Sequence, residues 1–453
     1  MKAKFAGRVV VSNRSNISRR KFLTKAAGTA VWAISFPYIV PSSALGKAGN
    51  VAPSNRITMG CIGVGGKRPG GQGTVDLQGF LGRDNVQVVA VCDVDSVHRN
   101  WARDIVNNEY GSNDCSTYND FRQLLAREDI DAVSIVLPDH WHAIIAVTAA
   151  RAGKDIFSQK PLAYSIPEGR AICEAVKKYG TVWQTGNSMR SSRNVRFACE
   201  LVRNGRIGKV HTVKVGLPNL NNIADNGDRI SRKTQPAAVP DGLDYDMWLG
   251  PAPWKAYSPG RCHWNFRWVS DYSGGQITDW AGHYCDVAQW GMGTDLTGPI
   301  EIEGEGVFPA DGLFDTVENY RFVCRYGEGF TMIVAGPFKD GVRFEGSEGW
   351  IYVSHRELDA QPKSILDSVI GPDEIHLYKS NDHKGNFLDC IRTRSETASP
   401  AKIAQRSVSV GHLGLIAIRL GRKLRWSPEK ELFVNDLEAD RFLSRPMRSP
   451  WHL

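Results

Sequence analysis

The stretch Arg56–Gly66, RITMGCIGVGG, decides the fold, because an apolar run leads directly into a glycine turn. The run predicts a buried strand. Gly63, Gly65 and Gly66 allow the backbone to turn tightly and to approach a pyrophosphate at a helix N-terminus. The pattern therefore predicts the first strand and turn of a dinucleotide-binding domain, with these three glycines against the cofactor.

The end of the second apolar run carries the next cofactor signal. Asn85–Asp93 contains the run VQVVAVCD, a second predicted strand that ends at Asp93. A carboxylate at that place accepts hydrogen bonds from the adenosine ribose hydroxyls and repels a 2′-phosphate, which favours NAD over NADP. Arg68, which stands in the place of the usual third glycine, and Arg99 leave NADP open as the alternative cofactor.

Predicted strands and helices alternate between residues 55 and 180. This alternation indicates an α/β protein whose N-terminal domain is a Rossmann fold, a doubly wound parallel sheet. The further predicted strands are Ala132–Leu137 and Asp155–Phe157, and the predicted helices are Ser96–Tyr110, Phe121–Arg127, Ala143–Ala152 and Pro167–Tyr179.

The pattern changes after residue 180. Longer apolar strands with fewer helices between them predict a C-terminal α+β domain over residues 181–430, with a large, open and mainly antiparallel sheet. Residues 219–265 are an irregular, aromatic-rich excursion, and residues 431–453 form a C-terminal tail. The predicted strands are Val210–Leu217, Val317–Tyr326, Thr331–Gly336 and Gly349–Val353, and the late helices are Lys384–Arg394 and Ile403–Arg422.

The basic excess of the chain lies in its first 44 residues. The formal net charge is +8, from 56 Lys and Arg against 48 Asp and Glu. Residues 1–44 hold eight basic and no acidic side chains, so the rest of the chain is balanced. Nothing in the bulk charge points to a nucleic-acid partner. Proportions of 42% hydrophobic and 23% charged in 453 residues also exclude a collagen-like, disulfide-scaffold or wholly disordered protein.

The same first residues predict an export signal. Ser18–Leu23, SRRKFL, precedes a mildly apolar run, Ala26–Val40, and then small residues. This is the order of a secretory signal, and the run is too short to make a stable membrane span. The paired arginines followed by Phe-Leu resemble the twin-arginine signal, which exports folded proteins. We expect a periplasmic or otherwise exported protein, cleaved after Ala44 or Ala48; a disordered basic tail is the alternative.

Five further motifs follow one another in an order typical of one enzyme family. They are PDHWH at Pro138–His142, AGK at Ala152–Lys154, QKPL at Gln159–Leu162, QTGN at Gln184–Asn187 and GGQITDWAGH at Gly274–His283. Over nearly all of residues 55–430 the chain resembles the glucose–fructose oxidoreductase / inositol dehydrogenase family (Gfo/Idh/MocA). The resemblance implies an NAD(P)-binding domain, a C-terminal sheet domain that covers the nicotinamide, and a homo-oligomer. It also implies oxidation or reduction of a sugar or polyol carbon.

Three residues of these motifs are the candidate catalytic groups: Lys160, Asp279 and His283. In a helix, Asp279 and His283 would share one face, since they are four residues apart. His283 can exchange protons near neutral pH, and Asp279 can orient the imidazole or bind a sugar hydroxyl. Lys160 supplies a cation that polarises the substrate oxygen or holds an alkoxide. The resemblance places all three where the nicotinamide meets the substrate.

The resemblance also assigns residues to the cofactor. Trp141 and His142 are expected beside the nicotinamide ring, Lys160 near it, and Asn187 in contact with the cofactor or the substrate. Gln159 stands where the family usually has glutamate, so only an amide oxygen is left there to accept a hydrogen bond from the nicotinamide ribose.

The remaining candidates are sugar contacts. They are Arg190, His263, Tyr272 and Asp286. A metal site formed by His263 and Asp286 with the catalytic pair is conceivable, but no tight ligand spacing supports it, and the nine cysteines are scattered. The sequence therefore predicts no metal.

These patterns predict an exported NAD(P)-dependent oxidoreductase that acts on a carbohydrate or polyol. Free NAD is scarce outside the cytoplasm, so we expect the cofactor to be tightly bound. Two alternatives stay open. One is an NAD-dependent glycosidase of the N-acetylgalactosaminidase type, which oxidises, eliminates and hydrolyses without net NADH release. The other is a non-catalytic sugar-binding protein on the same fold.

Overall fold

The structure, a computed structural model, describes residues 55–65, 71–217 and 235–453. The predicted leader at residues 1–44, Gly66 and Arg68 lie outside these described residues. Of the excursion predicted at residues 219–265, only the part from residue 235 onward is described.

The N-terminal strands form one parallel sheet. Its strands are β1 (Ile57–Ile62), β2 (Val86–Cys92), β3 (Ser116–Tyr118), β4 (Ala132–Ile135), β5 (Asp155–Ser158) and β6 (Trp183–Thr185). The helices between them are α1 (Gln72–Leu81), α2 (Ser96–Tyr110), α3 (Phe121–Leu125), α4 (Asp139–Arg151) and α5 (Ile166–Tyr179). The order β3-β2-β1-β4-β5-β6, with every pair parallel, confirms the predicted Rossmann sheet. Strand order reverses between β1 and β4, so their carboxyl ends open a crevice suited to a nucleotide.

The second sheet has nine strands. They are β7 (Val210–Gly216), β8 (Glu301–Val307), β9 (Asn319–Arg325), β10 (Thr331–Ala335), β11 (Gly341–Gly346), β12 (Gly349–Val353), β13 (Leu358–Gln361), β14 (Leu424–Ser427) and β15 (Leu432–Phe433). They lie in the order β13-β12-β11-β7-β10-β9-β8-β14-β15. Only β7 and β10 pair in parallel among these described strands, so the mainly antiparallel sheet predicted for the C-terminal domain is confirmed.

The helices of this second part are α6 (Arg193–Arg203), α7 (Tyr245–Leu249), α8 (Gly275–Met292), α9 (His383–Thr393), α10 (Ala401–Leu420) and α11 (Leu437–Asp440). Apolar side chains of α6, α8 and α10 form one buried core with the second sheet. The burial of these large apolar surfaces is the main force that holds the helices on the sheet.

Residues of the C-terminal helices α9 and α10 also complete the core of the first sheet. The Phe387 ring of α9 packs against Phe80 and Phe157, with centroid distances of 6.4 and 5.8 Å, and these two rings lie 5.3 Å from each other. Ala401, Ala404 and Val408 of α10 belong to the buried cluster on the other side of the same sheet. Packing of the Rossmann sheet therefore requires residues that follow residue 380 in the sequence.

Small residues let α8 approach its neighbours closely. A Cβ atom added at Gly282 would lie 3.3 Å from the Cβ of Lys160, and one at Gly411 of α10 would lie 2.8 Å from the Cβ of Ala281. The helix begins at Gly275 and ends before Gly293, both at positive φ, 73° and 72°, which favours glycine. α8 is thus held against both α10 and the loop that carries Lys160.

Residues 235–274, here called the cover segment, cross from the second part of the chain to the first sheet. The Asp244 amide donates to the carbonyl of Val94 at 2.9 Å, and the Asn119 amide group donates to the Asp244 carboxylate at 2.8 Å. The segment has an apolar cluster of its own that includes Trp248 and Tyr272. Within the described ranges, no helix combines the length and the apolar character needed to cross a bilayer.

Candidate functional site

A cavity of about 520 Å³, here called the nucleotide cavity, opens at the carboxyl ends of β1, β2 and β4. On the side of the first sheet it is lined by Gly63, Gly65, Gly73, Asp93, Asn119, Leu137, Pro138 and Trp141. The cover segment closes the other side with Met247, Trp248, His263, Trp264, Phe266 and Arg267. The predicted glycine turn and the predicted carboxylate thus face one cavity.

The glycines of the turn are required by close backbone contacts. A Cβ atom at Gly63 would lie 2.0 Å from the carbonyl oxygen of Val136, and one at Gly73 would lie 2.5 Å from the carbonyl oxygen of Gly63. Gly63 and Gly65 also have positive φ, 76° and 67°. The backbone therefore leaves a cradle at the start of α1, the arrangement that receives a pyrophosphate.

Two backbone amides hold the Asp93 carboxylate in place. The Val64 amide donates to Oδ2 at 3.0 Å, and the Asp95 amide donates to Oδ1 at 2.9 Å. Each oxygen keeps a second lone pair for a ribose hydroxyl. The Arg99 guanidinium donates to the Asp93 carbonyl and, at 3.3 Å, to the Asn119 side chain. These residues fit a bound NAD, since Arg99 is already engaged and a 2′-phosphate would meet a carboxylate.

Gln159 is tied to the first sheet rather than exposed in the cavity. Its side-chain amide donates to Oδ2 of Asp76 at 2.7 Å, and the Lys384 ammonium donates to Oδ1 of Asp76 at 2.9 Å. Gln159 and Asp76 are both buried. Asp76 engages only the donor group of Gln159 and leaves the amide oxygen as an acceptor, so a hydrogen bond from the nicotinamide ribose to that oxygen stays a prediction.

The PDHWH motif contributes two cavity residues, Pro138 and Trp141, and two buried histidines, His140 and His142. Trp141 lines the nucleotide cavity, and its indole donates to the Trp248 carbonyl at 3.0 Å. His142 is buried, with ring nitrogens 2.7 Å from the Pro161 carbonyl and 2.9 Å from the Leu137 carbonyl. The expected contact of the His142 ring with nicotinamide is therefore corrected: the imidazole holds two loops together.

Lys160 and Asp279 form a close ion pair. The Lys160 Nζ lies 2.8 Å from Asp279 Oδ1 and 3.2 Å from the Asp279 carbonyl. Burial opposes ionisation of Asp279, but the cations Lys160 and Arg267 outweigh it and hold the pKa of this carboxyl below its ordinary value. The Arg267 Nε lies 3.6 Å from the same oxygen and also lines the nucleotide cavity. Arg267 thus connects the pair to that cavity.

His283 is held by a chain of hydrogen bonds behind the ion pair. The Asn187 Nδ2 donates to Asp286 at 2.7 Å, so its Oδ1 faces His283 Nδ1 at 2.9 Å as an acceptor. His283 Nδ1 must then carry the proton, and Nε2 presents the lone pair. No hydrogen bond to Nε2 comes from any residue that the structure describes. Burial, and next the charge of Lys160, hold the pKa of His283 well below its ordinary value.

Arg190 and Asp286 extend the chain of hydrogen bonds that runs from His283 through Asn187. The Arg190 guanidinium donates to both oxygens of Asp286, at 2.6 and 2.9 Å, and to Asp295. Ser407 donates to Asp286 at 2.7 Å. Both members of the pair are buried, with side chains 3% and 2% exposed. The predicted sugar contacts at Arg190 and Asp286 are therefore corrected, because the two side chains satisfy each other away from any accessible surface.

Two further predicted sugar contacts lie elsewhere. Tyr272 is 0% exposed in the apolar cluster of the cover segment, where its hydroxyl accepts from Arg261 at 3.3 Å. It has no surface to offer a substrate, so this prediction is also corrected. His263 lines the nucleotide cavity beside Asp95 and His98 rather than beside Lys160 and Asp279.

Two residues near the catalytic candidates, Arg267 and His355, are absent from the sequence predictions. The His355 ring, in the turn after β12, lies 5.5 Å from the His283 ring, centroid to centroid. Neither sits in a motif with a recognised spacing, but Arg267 follows the aromatic run HWNF, whose Trp264 and Phe266 rings lie 4.2 and 4.6 Å from its guanidinium. The aromatic residues that directly precede Arg267 were the sequence signal that could have identified it.

Comparison with known proteins gives two matching family models. Residues 57–187 match an oxidoreductase family model described as an NAD-binding Rossmann fold. Residues 194–453 match an oxidoreductase family model described as a C-terminal alpha/beta domain.

The individual proteins that resemble this chain share less than a third of its residues over the aligned regions. The uncharacterized oxidoreductase YrbE of Bacillus subtilis is 29% identical over 384 residues, which cover 83% of this chain and 95% of that one. An alpha-N-acetylgalactosaminidase of Shewanella oneidensis is 29% identical over 214 residues, 43% of this chain and 44% of that protein. The WlbA dehydrogenase of Bordetella pertussis, solved with NADH and UDP-GlcNAcA, has a TM-score of 0.58 at 16% identity, covering 82% and 99% of the two chains. At that identity the likeness shows the fold alone.

Proposed function

The chain belongs to the Gfo/Idh/MocA family of oxidoreductases, with an NAD-binding Rossmann domain, and from that premise we propose that it moves a hydride between NAD and a carbinol carbon of a sugar or polyol. One observation carries the proposal: Arg267 lines the nucleotide cavity and also lies 3.6 Å from Asp279. Lys160, Asp279 and His283 are not among the residues that line the cavity, so Arg267 is the contact through which they adjoin it, and we propose that the nicotinamide lies at this side.

NAD, when bound, supplies the acceptor or donor of the hydride. The residues of the chain then have to manage the hydroxyl proton and the charge on oxygen. His283 Nε2 accepts the hydroxyl proton, because Asn187 keeps the other ring proton on Nδ1. The Lys160 ammonium stabilises negative charge on the substrate oxygen. The Asp279 carboxylate holds this ammonium in place through the ion pair.

The surroundings of this cluster support a polyhydroxylated substrate. The Trp280 ring is half-buried, 5.7 Å from Lys160 Nζ and 5.4 Å from the His283 ring. An indole offers a flat apolar face, which matches the C–H face of a pyranose or cyclitol ring. Cationic and imidazole groups beside it would donate to and accept from neighbouring hydroxyls.

The test follows both redox change and bond cleavage. Purified protein is incubated with polyols, free sugars and aryl glycosides, while NADH absorbance and released aglycone are recorded together. Stoichiometric NADH formation with a polyol or sugar supports the proposed dehydrogenase. Turnover of none of these compounds, together with failure to retain NAD, would instead favour a non-catalytic sugar-binding protein.

A second candidate is a redox-neutral glycosidase. It is favoured by the similarity to the Shewanella oneidensis galactosaminidase, although the alignment covers less than half of either protein. The cover segment also favours it: Trp248 and His263 close the nucleotide cavity, which suits a cofactor that stays bound through each turnover. Aglycone release without net NADH would identify this activity.

We further propose that the protein is exported and forms a homo-oligomer. The SRRKFL motif supports export of a folded, cofactor-loaded chain. Lysine substitution of both Arg19 and Arg20 should retain the protein in the cytoplasm, as fractionation would show. The broad nine-stranded sheet supports self-association, because α6, α8 and α10 pack on one face and exposed residues of β9 such as Arg321 leave the other face for a second copy to cover. Light scattering on the purified protein tests this directly.

A further inference from the structure

Three potential ligand groups converge at the edge of the nucleotide cavity, away from the proposed catalytic cluster. Asp95 Oδ2 lies 3.7 Å from His98 Nε2 and 3.5 Å from His263 Nε2. One ligand atom from each residue lies within 4.8 Å of the other two. Asp95 and His98 belong to the start of α2, whereas His263 comes from the cover segment.

These separations differ from those of hydrogen bonds. A hydrogen bond between a carboxylate and an imidazole is about 2.7–3.0 Å long, and a separation of 3.6 Å no longer counts as one. Ligand arms of about 2.0–2.2 Å around a tetrahedral Zn²⁺ place neighbouring ligand atoms roughly 3.3–3.6 Å apart. The 3.5 Å spacing between Asp95 and His263 falls in this range, and the 3.7 Å spacing between Asp95 and His98 is slightly longer, so a small shift of the side chains would seat an ion among the three groups.

The local backbone presents the three groups together. Asp95 caps α2 with Oδ1, which accepts from the amides of Val97 at 2.8 Å and His98 at 3.5 Å, so Oδ2 is the oxygen that faces the imidazoles. His263 has φ of 53°, a left-handed conformation that costs a non-glycine residue on the order of 1 kcal/mol or more. Such strain is typical of residues held in place for a function.

The two imidazole rings are close enough to share one ion. Their centroids lie 4.7 Å apart, and both rings face the Asp95 carboxylate. A neutral imidazole offers its Nε2 lone pair to a metal ion.

We propose that Asp95, His98 and His263 bind a divalent first-row cation, with Zn²⁺ as the best match to two imidazoles and one carboxylate. Three protein ligands leave a fourth position for water or a nucleotide hydroxyl, since both histidines also line the nucleotide cavity. The ion would join α2 to the cover segment and hold that segment over the bound nucleotide. This site does not depend on the proposed reaction.

The test is metal binding by the untagged full-length chain, freed of metal by a chelator. Calorimetric titration with ZnCl₂ should give one Zn²⁺ per chain, and Zn²⁺ should raise the Tm. His98→Ala and His263→Ala should each weaken binding by roughly 10–100-fold or more, and the double variant should not bind. His211→Ala is the matched control, because His211 is an exposed histidine bonded only to Thr212 within the described structure; it should bind like the parent.

Substitution of Co²⁺ for Zn²⁺ gives a second readout that a merely structural role of the histidines would not produce. A visible d–d absorption that appears with one equivalent of Co²⁺ and is lost in the double variant supports the site. The proposal is overturned if the parent protein binds no Zn²⁺, or if the double variant binds it equally well. Weaker NAD binding by the variants, with no Zn²⁺ binding by the parent, would assign the cluster to the nucleotide alone.

Discussion

The side-chain amide of Gln159 donates to the carboxylate of Asp76 at 2.7 Å, and both side chains are buried. This contact explains the departure of the QKPL motif from the usual Glu-Lys-Pro. A glutamate at position 159 would bring a second carboxylate against Asp76. The amide removes that repulsion and supplies a donor, while Lys384 neutralises Asp76 from the other side.

Gln159→Glu is therefore expected to destabilise the protein by about 1–3 kcal/mol near neutral pH, because one of two adjoining buried carboxyl groups must take up a proton or go unpaired. Thermal unfolding at pH 5 and pH 8 measures this, and the deficit should be smaller at pH 5. Asp76→Asn combined with Gln159→Glu restores an amide–carboxylate pair and should recover part of the loss. If the loss of stability in the double variant equals the sum of the losses in the two single variants, the explanation is contradicted.

Lys160→Met should lower kcat by about 10²–10³-fold, because it removes the cation that stabilises charge on the substrate oxygen. Binding of NAD, followed by calorimetry, should change little, since Lys160 pairs with Asp279 rather than with the glycine turn. Lys177→Met, at an exposed lysine of α5, is the control and should retain full activity. Comparable activity in the two variants would remove Lys160 from the mechanism.

Asn187→Ala tests whether an amide sets the tautomer of His283. Loss of the Oδ1 acceptor lets the ring proton move to Nε2, so we expect kcat to fall by about 10-fold or more while KM changes little. In a His283→Ala background the same substitution should have no further effect, because the two residues act as one unit. A rise in KM with unchanged kcat would show that Asn187 contacts the substrate instead. So would losses in kcat/KM that add when Asn187→Ala and His283→Ala are combined.

The buried histidine His412 should make stability depend on pH. Burial lowers its pKa to about 4 in the folded protein, whereas the unfolded chain titrates near the ordinary 6.5. As pH falls from 6.5 towards 4, the unfolded state gains a proton that the folded state refuses, so this residue costs about 1.4 kcal/mol of stability per pH unit. His412→Gln keeps a donor for the Ala163 carbonyl but does not titrate.

Urea unfolding at pH 7 and pH 5 compares the two proteins. The parent should lose more stability than His412→Gln over this interval, although Glu168, whose pKa burial raises to about 7, shifts both curves in the opposite sense. Only the difference between the proteins reports on His412. Parallel curves would mean that His412 takes up its proton equally in the folded and the unfolded state, and would contradict the lowered pKa.

Four of the six strands of the first sheet were predictable because their signals are local, whereas β3 and β6, with three residues each, were missed. The run RITMGCIGVGG and the strand that ends at Asp93 carry their own periodicity and turn chemistry, and the helix Ser96–Tyr110 was predicted with its observed bounds. The sequence also indicated that Asp279 and His283 share a helix face. Strands such as β11 and β13 were missed, because short strands with mixed burial lack a clear alternation.

Other parts of the site depend on contacts between distant residues. Tyr272 and Arg190 carry groups suited to sugars, but tertiary packing buries both, and burial of a polar side chain cannot be read from its neighbours in sequence. The grouping of Asp95 with His263 arises only when the cover segment folds back onto α2. No complete metal motif stands out in the sequence, because Asp95 and His98 supply only two of the three proposed ligands and His263 comes from a distant part of the chain.

The cluster of the Phe80, Phe157 and Phe387 rings has a consequence for how such proteins can diversify. A recombination event that replaced residues 57–187 alone would import two of these rings and leave the third behind. The chimera would then carry a void or a clash in the interior of its nucleotide-binding half. Successful exchange between relatives should therefore transfer the helix His383–Thr393 together with the first sheet, and substitutions at the three aromatic positions should covary.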